Sequence, residues 1–256
     1  MPIDKDNYTR EISHPSYIFG LERTLTQAEI DKINASKKPA PTAAEAANAE
    51  KSRKPKKTEA PRKVIIGVDL GKEVDKTVIA VIEPTGDSEH PMYMLRRIIP
   101  VRLGTTYPDI IRGLVTLDVE IKKMNAREVT YVIDAGGAMG VVDSFEEALP
   151  FADIYRVNLT GGVNVNVSGL KIGLPKREMI TTLMRVLDGH RLRLLGARTG
   201  GMELLESELN NFTMKITDSG YDKYEAKTGH DDAVCALALA VWLGEYDAKR
   251  GEIKLW

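Results

Sequence analysis

With one cysteine in 256 residues, the chain can form no intrachain disulfide and no zinc site built on paired cysteines. That residue, Cys235, falls in the apolar run Ala233 to Trp242, where a buried thiol behaving as a small hydrophobe is expected. No apolar run reaches the roughly 20 residues that span a bilayer, and the amino terminus lacks the basic-then-apolar order of a signal peptide. These absences predict a soluble, intracellular protein with no membrane contact. Apolar residues make up 43% and charged residues 29% of the chain, which is ordinary for a globular protein and excludes disorder throughout.

A net charge of −1 conceals a split: residues 1–63 carry 13 Lys and Arg against 9 Asp and Glu, and the remainder carries 23 against 28. The positive excess is concentrated in Lys51 to Lys63, beside few apolar residues. Such a stretch is drawn to any polyanion without reading its sequence, although a solvated linker has the same composition. Residues 34–62 are rich in Ala, Pro, Lys and Glu and cannot bury enough surface to offset the entropy of ordering, so a flexible basic linker is expected there. Residues 1–33 are expected to be a tail. Within it, Thr26-Gln-Ala-Glu29 is a capping box for a short helix, and His14 to Leu21 holds a few aromatic and apolar residues that suit a docking peptide or a frayed end.

The pattern changes at Lys63, where a domain over 63–256 begins. Val64 to Leu70, Thr77 to Ile82 and Met92 to Val101 read as three strands in succession, with turns at Pro84-Thr-Gly-Asp87 and Pro91, which implies an antiparallel meander. Helical spacing of apolar residues follows over Tyr107 to Met124. Val129 to Ile133 reads as a strand, Val141 to Leu149 as a helix and Ile154 to Val157 as a fifth strand. Helices over Lys176 to Leu187 and Met202 to Phe212, a short strand over Arg191 to Leu195, a hairpin about Asp218-Ser-Gly220 and a closing helix from Asp231 complete the chain. This order predicts an α/β fold, a mixed five-stranded sheet flanked by helices. It is also the order of the RNase H-like fold.

Two aspartates stand at strand ends: Asp69 in Gly67-Val-Asp-Leu-Gly71 and Asp134 in Tyr131-Val-Ile-Asp-Ala-Gly-Gly137. If their strands are neighbours, both carboxylates project from one sheet edge, where their repulsion is relieved mainly by a cation. Gly229-His-Asp-Asp-Ala233, just before an apolar helix, can bring Asp231 and Asp232 to the same edge. Hard oxygen donors of this kind suit Mg²⁺ or Mn²⁺, and two ions could divide water activation from stabilisation of the leaving oxygen. Taken singly, each aspartate is as well explained as a turn or cap residue, and His230 as a structural neighbour. The combination, in order and on the right elements, carries the reading.

The Gly67-Val-Asp69 strand followed by Asp75-Lys-Thr-Val78, the Val132-Ile-Asp-Ala-Gly-Gly137 strand end, Lys176 to Leu187 with Gly189, the helix Glu203 to Phe212, and above all His230-Asp-Asp-Ala233 opening an Ala/Leu-rich helix form one set. From Val64 to Trp242 the chain resembles the nuclease domain of phage large terminase subunits, which cut concatemeric genomes during DNA packaging. The resemblance implies an endonuclease acting on double-stranded DNA in the host cytoplasm. It implies Asp69, Asp134 and one or both of Asp231 and Asp232 as metal ligands, with Lys176 placed to neutralise a scissile phosphate. A small terminase subunit and a portal are implied as partners. The family's ATPase motor needs a Gly-x4-Gly-Lys-Ser/Thr loop, and none occurs in these residues, so this chain is not expected to pump DNA by itself. A separately encoded nuclease part beside a separate ATPase motor, the nuclease domain of a longer protein, or a relative recruited to another task all fit, and the basic linker suits a tether to a motor or to DNA.

Rival readings share some of these features. A junction resolvase or integrase uses the same metal logic. An actin-like or sugar-kinase fold would use Gly67 to Gly71 and Asp134 to Gly137 as phosphate loops, but it normally needs two RNase H-like halves. A packaging module that has lost catalysis would not need convergent carboxylates. Gly161 to Gly173, without clear periodicity, is expected to be a flexible hairpin that contacts DNA or gates the site.

Overall fold

The computed structural model describes residues 28, 31–32, 62–71, 76–86, 89–124, 126–134, 136, 139–194, 200–216, 222–226 and 230–253. The expected linker lies outside these residues except for Arg62, which opens the first strand. Of the tail, Ala28, Asp31 and Lys32 are described and are helical.

The domain begins with β1 (Arg62–Asp69), β2 (Val78–Thr85) and β3 (Met92–Pro100), followed by α1 (Tyr107–Lys123) and β4 (Ala126–Asp134). Next come α2 (Met139–Ala148), β5 (Asp153–Thr160), β6 (Asn166–Ser168), β7 (Lys171–Pro175) and α3 (Lys176–Asp188). The chain continues through β8 (Leu192–Leu194), α4 (Gly200–Asn211), β9 (Phe212–Ile216), β10 (Asp222–Ala226) and α5 (Asp232–Ile253).

Eight strands form one sheet in the order β6-β7-β5-β4-β1-β2-β3-β8. β2 runs antiparallel to both β1 and β3, whereas β4 lies parallel to β1 and β5 parallel to β4. The segment β3-β2-β1-β4-β5, with β2 alone reversed, is the RNase H-like arrangement. The chain has the RNase H-like fold.

The sequence predicts a five-stranded sheet and a further short strand over Arg191 to Leu195, and the sheet has eight strands. β7 adds in parallel to β5 with β6 folded back on it, and β8 adds in parallel to β3. β6 spans three residues, too few for an alternating pattern to register, and β8 is the short strand expected over Arg191 to Leu195. The stretch 161–171 is exposed throughout, which explains why Gly161 to Gly173 shows no periodicity although it forms the expected hairpin. β9 and β10 pair from Phe212 with Ala226 to Ile216 with Asp222, as the hairpin reading requires. Its turn lies outside the described residues.

Helices cover both faces, and for that reason the central strands read as unbroken apolar runs rather than alternating ones. Ile65 and Ile66, adjacent in β1, are both 0% exposed. Ile65 packs in a cluster with residues of α3, α4 and α5, and Ile66 in a second cluster with residues of α1 and α2. Buried on every side from Ala233 to Gly244, α5 has no polar stripe in that stretch. Among the described residues no helix is long and apolar enough to cross a membrane.

The packing of α5 on β1 leaves no room for a side chain at Gly67. A Cβ there would sit 2.1 Å from the carbonyl oxygen of Ala236. Gly67→Ala is expected to destabilise the fold by about 3 kcal/mol, the upper end of overpacking costs. Gly140→Ala, whose Cβ would meet nothing within 4 Å, should stay within about 0.5 kcal/mol of the parent, as open surface sites do. Urea unfolding of the two variants checks the contrast, and equal stabilities would contradict it.

Candidate metal centre at the carboxyl edge of the sheet

The parallel register of β1 and β4 sets Asp69 directly beside Asp134. Side chains alternate along a strand, so Asp69 shares a face with Gly67 and Asp134 with Val132. Both of those residues face α5: Gly67 meets Ala236, and Val132 joins the cluster that contains α5. Two strand-end carboxylates thus lie on the face and edge where α5 begins.

The start of α5 supplies the next two acids. The Asp231 carbonyl accepts the first helical bond, from Cys235 N at 2.8 Å, and Asp232 lies in the first turn. Lys176, the first residue of α3, places Nζ 2.8 Å from Asp231 Oδ2. His230 Nδ1 is 3.6 Å from Asp232 Oδ2, too long for a hydrogen bond. Asp134 Oδ1 accepts a bond from the Gly136 N–H at 2.9 Å. Cys235 is buried, as expected of a small core hydrophobe, and burial pushes its thiol well above the usual range.

These groups feel one another. Burial first, and then the charges of Asp134, Asp232 and Asp231, push the Asp69 carboxyl well above the usual carboxylate range, with Lys176 opposing. All four aspartates therefore belong to one electrostatic cluster, and Lys176 is the positive charge set against it. Among the described residues, no group of three or more His, Cys, Asp or Glu side chains is drawn in closely enough to hold a metal ion in this arrangement. Two carboxylates have other partners: Asp231 is turned to Lys176, and Asp134 to its own loop.

A fifth acid, Glu208 of α4, joins the cluster, and the sequence reading did not single it out. It is 5% exposed. Its Oε2 accepts bonds from the N–H groups of Ala233 at 2.8 Å and Val234 at 3.1 Å, and its Oε1 is buried without a hydrogen-bond partner. Burial pushes its carboxyl up to about 7 against the opposing pull of those two N–H groups, and Asp232 and Asp231 add to the rise. The signal that could have found it is its place on the apolar stripe of α4, three residues after Leu205 and next to Leu209. An acid on a buried stripe calls for a reason.

The donor set fits a hard divalent cation. It is all oxygen, it concentrates carboxylates around a buried Asp69, and it leaves one buried carboxylate oxygen, Glu208 Oε1, without a proton donor.

No family model and no curated protein matches the chain. Among solved structures it is similar to the large terminase nuclease of the thermophilic phage G20c with bound magnesium, at 20% identity over 72% of this chain and 82% of that one, with a TM-score of 0.49. It is similar to the manganese-soaked terminase nuclease domain of human cytomegalovirus, at 8% identity over 86% of this chain and 94% of the other, with a TM-score of 0.48. It is also similar to the nuclease domain of the large terminase g2p from bacteriophage SPP1 with bound manganese, at 12% identity over 81% and 94% of the two chains, with a TM-score of 0.44.

The raised carboxyls make the stability of the metal-free protein depend on pH. Folded Glu208 holds its proton more tightly than in the unfolded chain, so its contribution is fully present below the unfolded value and is lost as pH rises from about 4.5 to about 7. Asp69 acts in the same direction. In EDTA-treated samples the stability difference between the parent and Glu208→Gln, which does not titrate, should fall across that window and level off above it. A difference that rises with pH would contradict the assignment.

Proposed function

We propose that this chain is a divalent-metal-dependent endonuclease that hydrolyses DNA phosphodiester bonds, the terminase nuclease that cuts concatemeric phage DNA during packaging. The observation that carries the reading is the in-register pair Asp69 and Asp134 on adjacent parallel strands, facing the start of α5 with Asp231 and Asp232. In this reading Asp69 and Asp134 hold the ion from the sheet. Asp232 holds it from the helix, because Asp231 is already paired with Lys176 and the Asp232 side chain is the more buried, 13% exposed against 22%. Asp231 keeps Lys176 in place, and the ammonium group is set to meet the scissile phosphate. Mg²⁺ or Mn²⁺, when bound, supplies the positive charge that makes water nucleophilic and stabilises the leaving oxygen, with two ions as the usual arrangement for phosphodiesters.

The substrate is double-stranded DNA. The basic stretch Lys51 to Lys63 tethers the domain to it or to a separate ATPase motor, in an assembly with a small terminase subunit and a portal in the host cytoplasm. The hairpin Gly161 to Gly173 contacts DNA or gates the edge: it leaves β5 at Thr160, three residues past the partner of Asp134. The actin-like alternative finds no support among the described residues, which form one RNase H-like sheet and not two.

Three measurements test this. Supercoiled plasmid incubated with Mn²⁺ should be nicked by the parent chain, and Asp69→Ala and Asp134→Ala should each reduce nicking to background. Undiminished cleavage in both variants would place the activity elsewhere or in a contaminant. In the same assay Asp232→Asn should fall to background while Asp231→Asn retains a measurable rate, and a four-way junction cut in preference to linear duplex would favour a resolvase instead. Replacing residues 161–170 by a short turn should weaken DNA binding, and unchanged binding and cleavage would remove the hairpin from the interface.

A further inference from the structure

Residues just inside a helix start have N–H groups with no partner in the helix, and the side chain of the residue before the helix usually takes those of its second and third positions. For α5 the residue before the helix is Asp231, and the N–H groups it would take are those of Ala233 and Val234. They are not left to it. Both are taken by Glu208 Oε2, at 2.8 and 3.1 Å, from a different helix. The Asp231 carboxylate is thereby spared and lies 2.8 Å from Lys176 Nζ instead.

We infer that Glu208 is a positioning residue that caps α5 in place of Asp231 and so reserves Asp231 for the sheet edge. The inference rests on the metal-centre reading above. It explains why an acid is kept on the buried stripe of α4, a place where a carboxylate costs free energy. One of its oxygens is fully used by the cap, and the other is buried without a partner. A residue kept only for packing would be apolar at that place. Without Glu208, Asp231 is the nearest substitute cap: its carboxylate swings onto the N–H groups of Ala233 and Val234, the Lys176 pair breaks, and the first turn that carries Asp232 shifts from its place at the acid cluster while the helix stays capped.

The test uses the full chain without DNA, so that binding is read apart from cleavage. Free Mn²⁺ is followed by electron paramagnetic resonance during titration, and folding is followed by thermal unfolding. Glu208→Ala should weaken Mn²⁺ binding by about tenfold or more, as loss of a residue that orients ligands does. Glu208→Gln keeps a carbonyl acceptor for the two N–H groups and should bind close to the parent. Asp231→Ala should lower the melting temperature more in the Glu208→Ala background than in the parent, because only there does Asp231 serve as the cap. Parent-like Mn²⁺ affinity in folded Glu208→Ala overturns the inference, and so does a Glu208→Gln variant as weak as Glu208→Ala, which would show that charge and not capping matters. If Glu208→Ala does not fold, Glu208→Gln decides alone, and Mn²⁺ binding about tenfold or more weaker than the parent's then overturns the inference. A parent chain that binds no Mn²⁺, or whose binding survives loss of both Asp69 and Asp134, overturns the metal-centre reading and this inference with it.

Discussion

At Gly67 the backbone of α5 comes so close to β1 that only a residue without a side chain fits between them. The contact fixes the height at which the helix crosses the sheet, and with it the place where the helix begins. Because α5 is apolar on all sides from Ala233 to Gly244, it can be pressed into the core along that length and does not rotate to find water. Its first turn is thereby delivered to the ends of β1 and β4. The parallel pairing of those two strands does the rest, since it brings Asp69 and Asp134 level with each other.

Gathering carboxylates in this way works against folding. Burial and mutual repulsion hold Asp69 far from its ordinary titration range, and Glu208 is lifted to about 7 despite two N–H donors. The two apolar clusters on either side of the sheet, each reaching from the central strands to the helices, supply the stability that such a site spends. Natural folds break the rules of polar satisfaction most often where they act on something. Lys176, the Gly136 N–H and the start of α5 each offset part of the repulsion locally.

The five core strands, the helices between them and the closing helix were legible because each is long enough to show a period or an unbroken apolar run. The short strand β8 was read as such, whereas β6 was not, since three exposed residues carry no period. Asp69, Asp134, Asp231 and Asp232 stood out because each closes a strand or opens a helix beside glycine or a turn. Glu208 did not stand out, because its meaning depends on which helix lies opposite, and α4 and α5 are joined by a hairpin of which the sequence states the strands but not the direction. The different surroundings of Asp231, paired with Lys176, and Asp232 were equally invisible: adjacent identical residues differ only through the neighbours that folding provides.

The sheet ends on both sides in its shortest strands, β6 and β8, at three residues apiece. A foreign strand needs a run of unpaired amides and carbonyls to dock against, and so short a margin gives it little to hold in register. Val163 at 71% exposed, with Val165, Val167 and Leu170 also exposed nearby, can therefore stand in water beside β-structure without offering a template for fibrous self-assembly. The domain thereby keeps a broad, mixed sheet whose outermost strands hold out few free amides and carbonyls to another chain.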